Sequence, residues 1–114
     1  MKARNLWASF GYAIRGIIHT VKSERNMKIH LVATVLVLIY CFLAGVSRQD
    51  FVLLVFAIFL VLVAEMINTA IEAVVDLCIA ERHPLARIAK DVAAGAVLLA
   101  ALNAVVIGLL VVFK

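Results

Sequence analysis

From the N-terminus, apolar positions first recur at helical spacing. Trp7, Phe10, Ile14, Ile17, Ile18 and Val21 share one face, with Arg15 and Lys22 off it. The pattern predicts an amphipathic basic helix within residues 1–28, of the kind that lies in a membrane interface or packs on a bundle. Beyond it come three long apolar runs, 29–46, 51–79 and 92–113. Spanning a bilayer takes about 20 mostly apolar residues as helix, so each run is predicted to be transmembrane. The second run is about 45 Å long at 1.5 Å per residue, against a hydrocarbon core of about 30 Å. Its last turns should therefore emerge into water or a protein-lined pocket. Pro84 should stop that helix and let the next begin from Leu85. The predicted fold class is all-α integral membrane, a single domain over residues 1–114.

Composition agrees, with 67% hydrophobic residues against about 45–50% in ordinary soluble domains. The first 28 residues lack the compact apolar core and small-residue cleavage site of a signal peptide. Lys2, Arg4, Arg15, Lys22, Arg25 and Lys28 precede the first span, and Arg82, Arg87 and Lys90 follow the second. The connection "SRQD" carries only Arg48, and the C-terminus only Lys114. Positive-inside bias then puts the N-terminus and second loop in the cytoplasm and the C-terminus outside. The net charge of +4 suits anionic headgroups or an anionic ligand, whereas so apolar a chain argues against nucleic acid. Cys41 and Cys78 have no metal-ligand spacing around them and read as small buried apolar residues.

Polar groups interrupt the second span in "AEMINTAIEAVVDL". Glu65, Asn68, Glu72 and Asp76 are spaced by three, four and four, which puts them within an arc of about 80° on one helix stripe. A carboxylate near the bilayer centre costs roughly 3 kcal/mol or more, so such groups face a protein interior or a wet cavity. A lone Asn68 would fit a hydrogen-bonded seam between helices. Two glutamates and an aspartate on the same stripe fit that reading poorly. The stripe should descend from mid-membrane at Glu65 to the cytoplasmic rim at Asp76, as a reaction joining a lipid to a water-soluble group requires.

A second charged cluster, "ERHPLARIAKD", sets Glu81, Arg82, His83, Arg87, Lys90 and Asp91 beside the inner end of the stripe. Charged loops are common membrane anchors, and Arg82 and Arg87 are explained that way. Lys90 and Asp91, at the membrane end of an apolar helix, are less so. In "VKSERNMKIH", Glu24 is the only acid among the first 28 residues, and it either pairs with Arg25 or Lys28 or serves a site. His30 reads as a satisfied interfacial histidine. The small residues of "VAAGAVLLAALNA" read as helix packing.

Glu24 and Glu72 offer oxygen ligands suited to Mg²⁺, which takes one or two carboxylates plus substrate phosphates. Lys90 can neutralise phosphate charge, and Glu65 lies deep enough to take a proton from a lipid headgroup hydroxyl. These are the parts of a phosphoryl transfer. Yet no G-x-x-x-x-G-K-[ST] loop and no protein-kinase sequence set is present.

The stretches "GYAIRG", "SERNMKIH", "EMINTAIEAVVDL" and "HPLARIAKDVAAGAV" resemble the small prokaryotic integral-membrane diacylglycerol kinase family over nearly the whole chain. The forms "ERN…IH", "NTAIE" and "HPLA…AKD" look most like its Gram-positive undecaprenol kinase branch. The resemblance implies an ATP- and Mg²⁺-dependent lipid kinase of a bacterial plasma membrane, assembled as a homotrimer with sites shared between subunits. By position, Glu65 matches the family's general base and Asn68 the residue that helps hold the site. Glu24 and Glu72 match the metal-bound carboxylates. Tyr12, Glu81, Arg82, His83, Lys90 and Asp91 match the nucleotide-contacting positions. Asp76 matches a rim position without an assigned role. The family's N-terminal-helix arginine falls at Asn5, beside Arg4, so that contact is shifted or lost. Diacylglycerol is the alternative acceptor. A small proton-coupled exporter is the rival from another class, and it leaves Glu24, Glu72, Lys90 and Asp91 without a task.

Overall fold

The computed structural model describes residues 5–79 and 81–114. Lys2 and Arg4, including the part expected of Arg4, lie outside the described residues. Four helices follow one another: α1 (Leu6–Ser23), α2 (Arg25–Ala44), α3 (Arg48–Cys78) and α4 (Pro84–Val112).

Each boundary has a local cause. Asn5 Oδ1 accepts the Ala8 N–H at 2.9 Å and starts α1. Glu24 alone separates α1 from α2, in extended conformation (φ −107°, ψ 118°), and its N–H still donates to the Thr20 carbonyl. Gly45 closes α2 in the left-handed region (φ 62°, ψ 46°), a conformation glycine adopts without a Cβ penalty. Ser47 Oγ then accepts the Asp50 N–H at 3.1 Å and starts α3. Pro84 occupies the first turn of α4, where no N–H is needed, and His83 Nδ1 accepts the Leu85 N–H at 3.1 Å.

One boundary differs from the sequence expectation: the segment expected to lie in the interface through residue 28 breaks at Glu24. Helix α4 starts at Pro84, one residue before the expected Leu85 and eight before the apolar run at Val92. The apolar run marks only the part of a helix suited to lipid, while backbone hydrogen bonding continues through the charged flanks.

Helices α2, α3 and α4 are each long and apolar enough to cross a membrane, with mean hydropathies of 2.1, 2.7 and 2.6. The closest packing is between α3 and α4. On α3 the buried residues are Leu54, Ala57, Val61, Glu65 and Asn68, three or four apart and so on one stripe. On α4 they include Ala93, Val97 and Ala100, small side chains that let the helices approach closely. Buried Cys41, Leu54 and Val111 join α2, α3 and α4 near the α2–α3 connection. At the same end Lys114 Nζ donates to Asp50 Oδ2 at 2.8 Å. Cys78 corrects the sequence reading: it is exposed at the last turn of α3, unlike Cys41, because α3 continues beyond the packed part of the bundle. Many large apolar side chains point outward, among them Phe42, Phe56 and Leu99.

Candidate active site

The polar stripe of α3 runs down a gradient of burial. Glu65 is 1% exposed and Asn68 6%, Glu72 is half-buried, and Asp76 is exposed. One helix thus carries carboxylates from a dry interior to its wet end. Asn68 Nδ2 donates to Glu72 Oε1 at 3.0 Å, so a buried amide fixes one oxygen of the half-buried carboxylate. Neither Glu65 oxygen, nor Asn68 Oδ1, has a hydrogen-bond partner among the described residues. Buried polar groups are normally paired. These three atoms therefore stand out as buried polar atoms left without a hydrogen bond among the described residues.

Around Glu65 the charges are arranged unevenly. The charges of Glu24 and Glu72 repel that of Glu65, and the His30 imidazole attracts it. His30 Nε2 stands 3.6 Å from Glu65 Oε2. Among the described residues neither Glu24 nor Glu72 enters an ion pair. Two acids without a cation, one with its second oxygen left over, form a donor set that fits Mg²⁺ completed by phosphate oxygens. No group of three or more His, Cys, Asp or Glu makes a ready cage among the described residues.

The second cluster forms an open cleft of about 780 Å³ at the end of α3. Glu81, Arg82, His83, Lys90 and Asp91 line it together with Asp76 and Arg87. Lys90 Nζ lies 2.6 Å from Asp76 Oδ1, and Arg87 Nε lies 3.4 Å from Asp91 Oδ1. Asp76, on the stripe of α3, is thus the residue that links stripe and cleft. Tyr12 is not in this cleft. It lies on α1 with the Arg15 guanidinium 5.2 Å from its ring centre. Asn5 is occupied as the α1 cap, which suits it poorly to an arginine's contact.

Two residues carry more than the sequence reading gave them. Asp76, a rim position without an assigned role in the sequence, is the partner of Lys90. His30, whose position suits an interfacial histidine, faces Glu65. A signal for His30 existed: it is the only Asp, Glu, His, Lys or Arg between Lys28 and Arg48, and an ionisable group inside a span invites a search for its partner.

The model of the family described as prokaryotic diacylglycerol kinase matches residues 11–112. The chain is 43% identical over 107 residues to a diacylglycerol kinase of Synechocystis sp., covering 93% of this chain and 61% of that longer protein. It is 44% identical over 103 residues to the undecaprenol kinase of Bacillus subtilis, covering 90% and 84%. To the diacylglycerol kinase of Escherichia coli it is 35% identical over 96 residues, covering 84% and 79%. With nearly its whole length matched, the chain belongs to the prokaryotic diacylglycerol kinase family of membrane lipid kinases.

Proposed function

We propose that the protein transfers the γ-phosphate of ATP to the hydroxyl of undecaprenol, giving undecaprenyl phosphate. The observation that carries this reading is the unpartnered, buried Glu65 carboxylate at the top of a stripe that descends to the charged cleft. A base for a lipid hydroxyl must sit out of water, and the groups that meet a nucleotide must sit in it. The likeness to the undecaprenol kinase of Bacillus subtilis supports the choice of acceptor.

Glu65 takes the proton of the acceptor hydroxyl as its oxygen bonds to the γ-phosphorus. The bond to the β–γ bridging oxygen breaks, and ADP leaves with that oxygen. Asn68 orients Glu72 and presents its free Oδ1 to the same space. Glu24 and Glu72 would hold Mg²⁺, which when bound offsets charge on the transferring phosphate. Lys90 and Arg82 meet phosphate charge in the cleft, with Glu81, His83 and Asp91 around them and Tyr12 reaching the nucleotide from α1. Helix α1 lies in the membrane interface on its apolar face, with the N-terminus cytoplasmic and the C-terminus outside. A homotrimer completes each site, since one chain leaves Glu72 half-buried, Asp76 exposed and broad apolar surfaces outward.

Diacylglycerol is the second reading, favoured by the 43% identity to the Synechocystis diacylglycerol kinase. Both are tested together by offering the two lipids in mixed micelles with Mg²⁺ and γ-labelled ATP, with Glu65→Gln as control. Label passing mainly to undecaprenol, and absent in the control, is the expected result. Label passing mainly to diacylglycerol overturns the choice of acceptor. Transfer to neither by folded protein overturns the whole reading and returns the exporter.

A further inference from the structure

We propose that His30 is a positioning residue for the phosphoryl transfer, its Nε2–H holding the Glu65 carboxylate toward the acceptor hydroxyl. The inference rests on Glu65 being the base. It begins from a conflict in the structure. The Glu65 side chain is buried almost completely, its carboxylate makes no hydrogen bond among the described residues, and two other carboxylates repel its charge. A buried carboxylate without a hydrogen bond is costly and free to turn away. Something must hold it aimed.

Only His30 is placed to do so among the described residues. Its Nε2 lies 3.6 Å from Oε2, the one ion-pair contact of the Glu65 carboxylate among the described residues. That is an ion-pair separation, and a movement of a few tenths of an ångström makes it a hydrogen bond. The rest of the ring has little else to bind. It forms one wall of an apolar cavity of about 180 Å³ between α2, α3 and α4, beside Val37, Val61, Leu62 and Ala104. Thr34, which also lines that cavity, has its hydroxyl committed to the His30 carbonyl at 2.7 Å. With apolar walls on one side and a carboxylate on the other, the imidazole carries its proton on the nitrogen facing the carboxylate. The hydrogen bond from Thr34 lies at the His30 backbone in the second turn of α2, so it leaves the ring's orientation to these two neighbours.

The test separates the donor from the packing. Phenylalanine keeps the wall of the cavity and removes the N–H. Glutamine places an N–H near the position of Nε2. In the full-length protein, His30→Phe should lower kcat with the lipid acceptor by at least ~10-fold while KM for ATP stays within about twofold. His30→Gln should recover most of the lost kcat. Wild-type kcat in the phenylalanine variant, or equal loss in both variants, overturns the proposal. Because either substitution can disturb packing, a second measurement uses the native histidine. In protein labelled with ¹⁵N-histidine, the His30 Nε2 should be protonated, and its signal should move on Glu65→Gln. A His30 signal indifferent to that change overturns the proposal as well. This arm reads the contact without any substrate. Failure of the wild-type protein to phosphorylate either lipid would therefore count against the proposed function, and an indifferent signal against the role of His30.

Discussion

Lys90 on α4 sets its ammonium 2.6 Å from the Asp76 carboxylate on α3, tying the two helices together at the mouth of the charged cleft. The two side chains are 39% and 66% exposed. An ion pair this open contributes at most about 1 kcal/mol to stability. Its effect is better sought in position, since the carboxylate holds a flexible lysine where phosphate charge would arrive.

Replacing Asp76 by Asn should therefore raise KM for ATP by about three- to tenfold and leave the unfolding midpoint nearly unchanged. Lys90→Met removes the cation itself. A hydrogen bond to a charged group is worth about 1.5–3 kcal/mol, which corresponds to a rise in KM of roughly 10- to 100-fold. Steady-state kinetics at saturating lipid check both. Equal and small effects on KM in the two variants would remove Lys90 from the nucleotide site.

Asn68 controls one oxygen of Glu72 through its Nδ2 donor. Asn68→Asp replaces that donor with a second carboxylate, and the two acids then repel. The Mg²⁺ concentration for half-maximal activity should shift, by about tenfold or more in the aspartate variant and less in Asn68→Ala, which adds no charge. A Mg²⁺ titration of lipid phosphorylation reads this directly. A wild-type titration curve in the aspartate variant would mean Glu72 does not hold the metal.

Much of this arrangement was legible in the residues alone. Long apolar runs announce spanning helices because lipid admits few alternatives, and the i, i+3, i+4 spacing of Glu65, Asn68, Glu72 and Asp76 fixes a common face without reference to tertiary contacts. What crosses between helices was not legible. The Asp76–Lys90 and His30–Glu65 pairs depend on how far α2 and α4 slide along α3, and generic Leu, Val and Ile faces do not encode that register. The break at Glu24 was hidden for another reason. Its flanking residues suit a helix, and one extended residue leaves no Gly or Pro to mark it.

Gly45 is the one residue at positive φ among those described. The space around it is open, so a substitution meets only the backbone cost of the left-handed region, about 1–2 kcal/mol. Gly45→Ala should lower unfolding free energy by about that amount. Gly45→Asn should cost less, since asparagine tolerates this conformation. Activity per folded molecule should not change, because Gly45 lies at the opposite end of α2 from His30. Denaturant titration beside a turnover assay separates the two effects, and loss of specific activity in Gly45→Ala would show that the α2–α3 connection bears on the site.

Glu65→Gln distinguishes a catalytic carboxylate from a structural one, because the two roles separate in stability. A carboxylate held at 1% exposure without a hydrogen bond is a poor stabiliser, as the cost of taking it out of water is not repaid by its neighbours. Glutamine keeps the shape and removes the charge. It also relieves the repulsion from Glu24 and Glu72. The variant should unfold at the same or a higher denaturant concentration, by up to about 2 kcal/mol, while kcat falls by at least ~10²-fold. A polar seam for assembly would give the same gain in stability with turnover intact. A loss of both stability and turnover would mean that Glu65 holds the bundle together and that the proton goes elsewhere. Only greater or equal stability with lost turnover fits a group that the fold keeps, at its own expense, for the reaction.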